Sequence, residues 1–137
     1  MVHLPVQAQC KQYRRQAPLL FADPRPNERV GKNPDVRGVG DVPEGQRLWI
    51  AVKSGQRYYM QGPAEVTPDG WLFSGITLGG DDPADVNLYY TVVAILADPT
   101  TDAKLEKLAN STHGDTPVEL PPGTKIGPKV MLFRNIQ

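Results

Sequence analysis

The chain has 137 residues, and its 15 basic and 15 acidic side chains cancel. That length suffices for one domain with a continuous core, and zero net charge argues against binding held by nucleic-acid phosphates or anionic lipid. The lone cysteine, Cys10, has no internal disulfide partner and no apolar run nears the ~20 residues that span a bilayer, so a cytoplasmic protein is expected.

Residues 1–17, MVHLPVQAQCKQYRRQA, show neither the apolar stretch of a secretory signal nor sustained periodicity, and are expected to be a flexible extension before a domain at 18–137. Leu19 to Ala22, closed by DPRPN, is predicted as an edge strand, because prolines cannot donate to a ladder. Val36 to Val39 is a second strand, with Gly38 marking a bulge. Arg47 to Lys53 alternates cleanly, and Ser54-Gly55-Gln56 links it to Arg57 to Gln61 as an antiparallel hairpin. Ala64 to Thr67 resumes the strand pattern after Gly62-Pro63, and Pro68-Asp69-Gly70 turns the chain into Trp71 to Leu78, with a change of phase at Gly75.

Val86 to Ala97, VNLYYTVVAILA, is the longest run rich in β-branched and aromatic residues that lacks Gly and Pro. Both of its alternating faces become apolar towards the end, which predicts a central strand covered on both sides. The period then changes. Asp98 is placed to cap a helix with Pro99 in its first turn, and Leu105 and Leu108 form a short apolar stripe that must pack on a sheet. A proline-rich loop follows, and Lys129 to Arg134 is the last strand. The fold class expected is all-β: a two-sheet sandwich of about seven strands with one short helix inserted before the last.

The segments LWIAV, RYYMQGPAEV, PDGWLF, LGG and LYYTVVAILAD, in that order, resemble a bacterial immunoglobulin-like accessory domain. The resemblance covers roughly residues 24 to 134, the extent of a sandwich-sized unit. It implies an immunoglobulin-like β-sandwich of the kind attached to signalling, defence or enzymatic domains, and it brings no catalytic residues.

Aromatic residues dominate the candidate sites. Trp49, Tyr58, Tyr59, Trp71, Phe73, Tyr89 and Tyr90 are of a type that packs strands together, and also of a type that stacks on sugar rings. Adjacent strand residues face opposite ways, so one of Tyr58 and Tyr59 is expected at solvent or the rim. Tyr59, Trp71 and Tyr58 are the candidate partner-binding residues. Asp81, Asp82 and Asp85 supply hard oxygen ligands for Ca²⁺, although their spacing matches no EF-hand loop and aspartate in a Gly/Pro turn is more often a turn former.

His3, Cys10 and His113 lack the paired spacing of a zinc site, and Ser54, Ser74 and Ser111 lie in no nucleophile elbow. Gly79-Gly80 is followed by aspartates that would repel phosphate. A glycosidase would need a carboxylate pair drawn from Glu65, Asp69, Asp81, Asp82 and Glu119. The expected function is therefore a non-catalytic module that binds a protein partner or a neighbouring domain, without cofactor, nucleic acid or membrane. A carbohydrate-binding module with an exposed aromatic face comes second, and a hydrolase with a loop-borne carboxylate pair third.

Overall fold

The computed structural model describes residues 17–136, so the expectations for the first 16 residues, including His3 and Cys10, lie outside it. The described residues build two sheets and one α-helix. Strands β1 (Leu20–Asp23), β3 (Val36–Val39), β7 (Gly70–Phe73) and β6 (Glu65–Thr67) form a four-stranded sheet in the order β1-β3-β7-β6. Strands β2 (Arg29–Val30), β9 (Lys125–Arg134), β8 (Leu88–Ala97), β4 (Arg47–Ser54) and β5 (Arg57–Pro63) form a five-stranded sheet in the order β2-β9-β8-β4-β5.

Strand β8 sits in the middle of the larger sheet, paired antiparallel to β4 and β9. Its alternation sends Val92 and Ala94 into the core between the sheets, where they meet Leu48, Ile50, Val52, Trp71, Ile76 and Leu132. Val93, Ile95 and Ala97 point the other way, into a second core with Trp49, Ala51, Met60 and Leu105. That second core exists because helix α1 (Pro99–Thr112) lies on the outer face of the larger sheet as a third layer.

Helix α1 begins as expected: the Asp98 carboxylate accepts the Thr101 N–H at 2.7 Å, and Pro99 occupies the first turn. It ends with His113 in the left-handed conformation. Leu105 is fully buried, whereas Leu108 is only half-buried. A polar lock joins helix to sheet, since the Trp49 Nε1–H donates to Asp102 at 2.7 Å and Arg47 lies beside both Asp102 and Glu106.

The hairpin of β4 and β5 pairs antiparallel as predicted. The predicted strand Trp71 to Leu78 is shorter, because β7 stops at Phe73 and Gly75 takes a φ of 70°. The Gly75 N–H is accepted by Asp35, and Ile76 and Leu78 then bond across to Pro34 and Lys32 instead of continuing a ladder. An irregularity does fall at Gly38, but its extra residue is Ala22 on the partner strand β1, and Gly38 itself leaves room for the Trp71 indole, which lies where a side chain at 38 would be. Strand β2 went unpredicted. It pairs parallel with only the last two residues of β9, so the stretch Lys125–Val130 has no strand on that side among the described residues. A bulge opposite Val93–Ile95 and Pro128 both fall within that free stretch.

Candidate functional site

The three aromatic candidates separate on the structure. Trp71 is 1 % exposed, packs edge-on against Phe21 with ring centroids 5.0 Å apart, and donates its indole N–H to the Val39 carbonyl at 3.1 Å. It is a core residue, which corrects the expectation that it presents a binding face. Tyr58 is also buried, on the helix side of β5, where its backbone exchanges two hydrogen bonds of 2.9 Å with Val118. Adjacent residues do face opposite ways here, but both faces of β5 are covered: the loop after α1 covers one and the sandwich covers the other. Tyr59 alone of the three is part of an open site.

That site is a cleft of about 470 Å³ at the end of the sandwich where β4, β5 and β8 run past the smaller sheet. Val52, Ser54, Tyr59, Leu88 and Tyr90 line it, with Asp85 and Gly79-Gly80 on the opposite wall. Short hydrogen bonds hold its walls. Gln61 accepts the Thr77 N–H at 2.8 Å, the Tyr90 hydroxyl donates to the Asp85 carbonyl at 2.6 Å, and the Asp85 carboxylate accepts the Gly80 N–H at 2.7 Å. Burial, and then the Asp85 charge, push the Tyr90 phenol above its ordinary range.

The three aspartates named for Ca²⁺ do not converge. Asp81 pairs with Lys32 at 2.6 Å, and that hydrogen bond holds its carboxyl below the usual carboxylate range. Asp82 caps the short 3₁₀ turn Pro83–Asp85 by accepting the Ala84 N–H, and Asp85 serves Gly80. Among the described residues no group of three His, Cys, Asp or Glu side chains is arranged to hold a metal. Each of the three carboxylates gives one oxygen to a partner of its own, Lys32, Ala84 or Gly80, so they are not gathered around one point. The carboxylates named for hydrolysis, Glu65, Asp69, Asp81, Asp82 and Glu119, line none of the three main clefts.

A second surface was not singled out by sequence. The helix covers β4, β5 and the far half of β8, and no β9 residue belongs to the core beneath it. Among the described residues the outer face of β9 is therefore bare. Ile126, Lys129, Met131 and Phe133 lie along it, with Tyr89 beside Phe133 at a centroid distance of 4.8 Å. Tyr89, Ile126 and Met131 are 55, 51 and 44 % exposed. By register Arg29 continues the row of Phe133 and Tyr89, and Lys53 the row of Met131 and Thr91. Every charged residue in the strands of this sheet is basic. The alternation of Lys129 to Arg134 was legible, but which part of a sheet face a helix leaves open is not a local property of the sequence.

No helix among the described residues is long and apolar enough to cross a membrane. Comparison with family models, with curated proteins and with solved structures finds no match to this chain.

Proposed function

We propose that this chain is a non-catalytic interaction domain, immunoglobulin-like in kind, that docks a protein partner on the bare outer face of β8 and β9. The observation that carries this reading is the strip Ile126, Met131, Phe133 and Tyr89, apolar and open beside a helix that covers the rest of the same sheet. Its flanks choose the partner. Arg29, Lys53 and Lys129 ring the strip without an acidic residue in these strands, so the complementary surface has an apolar centre and an acidic rim. A second copy of the chain placed face to face would set these cations against each other, which disfavours self-association here. Ile126 and Met131 at the centre favour protein over single-stranded nucleic acid, whose bases need stacking planes and hydrogen-bond donors.

The test is affinity capture with the wild-type chain beside Met131→Glu and Lys129→Glu, followed by rebinding of each captured protein in purified form. A partner with an acidic surface should be lost with Met131→Glu and weakened by Lys129→Glu and by added salt. Identical captured sets from all three chains, or capture of nucleic acid alone, would reject the reading.

A further inference from the structure

We infer that the cleft between β4, β5, β8 and the 77–85 segment is a binding site for an uncharged polyhydroxylated ligand, with a monosaccharide unit as the type case. This site shares only Lys53 with the rim of the bare β9 face and does not rest on the docking proposal. The volume, about 470 Å³, falls in the range of small-molecule sites. The lining combines apolar surface from Val52, Leu88 and two tyrosine rings with the hydroxyl of Ser54 and the carboxylate of Asp85. Sugars present the same division, with C–H faces that pack on rings and hydroxyls that need donors and acceptors together.

Three observations narrow the class. The phenol of Tyr59 is half-buried at the cleft and makes no hydrogen bond among the described residues, so a donor and acceptor stands ready there. Asp85 uses Oδ2 for the Gly80 N–H, which leaves Oδ1 to accept from a ligand hydroxyl. The charged side chains at the cleft are of both signs: Lys53, Asp85 and Asp115 line it, and the Arg134 guanidinium, buried on the inner face of the sheet, bonds the Leu78 and Gly80 carbonyls of one wall at 2.8 Å each. With Lys53 and Arg134 against Asp85 and Asp115, the site as a whole favours neither an organic cation nor an anion. The cross-links from Gln61 to Thr77, Tyr90 to Asp85 and Arg134 to Leu78 and Gly80 hold the walls before any ligand arrives, which reduces the ordering lost on binding.

The experiment is a backbone-amide NMR titration of the full chain with glucose, galactose and mannose as neutral probes, and with choline and glucuronate as charged ones. At least one neutral sugar should give saturable shifts at Val52, Ser54, Tyr59 and Leu88 and none at Met131. Tyr59→Ala should weaken that binding by about tenfold, and Tyr59→Phe, which keeps the ring and removes only the hydroxyl, by about fivefold. Met131→Glu should leave it unchanged. The inference is overturned if no neutral sugar shifts these residues, if the shifts survive intact in both Tyr59 variants, or if choline or glucuronate binds there more tightly than every neutral sugar.

Discussion

Arg134 is the one charged side chain fully buried among the described residues, and its surroundings explain how that is tolerated. Its Nη1 group bonds two carbonyls of the 78–80 segment, while Nε has no partner among the described residues. A buried guanidinium that anchors two carbonyls acts as a clamp on the segment forming one wall of the cleft. Arg134→Met should therefore lower stability by about 1–3 kcal/mol and speed amide exchange across Gly79 to Asp85. Unchanged exchange there would show that the segment holds its own shape. Tyr90 acts on the same wall and responds to pH. Its folded pKa is raised above the ordinary 10.0, so it adds stability that is complete below that value and is lost as pH climbs through the higher folded one. Denaturant titrations should show an alkaline decline in the wild type that is flatter in Tyr90→Phe, together with a loss of about 1 kcal/mol at neutral pH from the missing hydrogen bond. Gly38 is the other position where one atom decides. A methyl group there would overlap the Trp71 indole, so Gly38→Ala should cost about 1–3 kcal/mol by calorimetry or denaturant melts.

Among the elements, helix α1 gives the sharpest expectation. Leu105 is enclosed by Trp49, Met60, Val93 and Ile95, so Leu105→Ala should cost about 2–5 kcal/mol, whereas half-buried Leu108 should cost distinctly less. Equal losses at the two sites would place the helix in a different rotation about its axis. Asp98 accepts the Thr101 N–H, which depresses its carboxyl pKa below the ordinary 3.8. The stability from that cap is present above 3.8 and disappears as pH falls through the lower folded value. The cap, the central strand and the hairpin were all legible, because each is written in adjacent residues: Asp98-Pro99, the unbroken alternation of 86–97, and Ser54-Gly55-Gln56 between two apolar runs. Strand β2 and the early end of β7 were not. Two residues carry no period, and β7 is stopped by Gly75 and by an acceptor 40 residues upstream at Asp35. The sites were less legible still. Tyr58 is buried where Val118, distant in sequence, bridges to its backbone, while Tyr59 on the opposite face stays half-buried at the cleft.

At the scale of the whole molecule, the three layers meet on β8, which contributes to both cores. The slowest-exchanging amides should be those of Val92 to Ile95, opening only with global unfolding, while the short edge strand β6, with Val66 60 % exposed, should exchange much earlier. Val92→Asp should abolish soluble folding by placing an unpaired charge between the sheets, and a soluble variant with an unchanged melting transition would refute that placement. The even charge balance of the chain conceals a division. The strands of the larger sheet carry only bases, while Asp81, Asp82, Asp85, Asp102 and Glu106 lie outside its strands in the 81–85 loop and in α1. Net charge counted over the sequence cannot reveal that separation.

The unpaired stretch of β9 bears on what happens when the protein is crowded. An open sheet edge is a template on which copies can stack into fibrils, and the bare apolar face beside it would raise that hazard. Here the bulge at Gly127-Pro128 bends the strand away from a flat register, and Lys125 and Lys129 bring like charges together in any copy laid alongside. The surface can thus remain sticky through its side chains while its backbone refuses to polymerise. Solutions of a variant carrying both Lys125→Val and Lys129→Val should accordingly gain thioflavin-positive aggregates on storage at concentrations where the natural sequence stays clear.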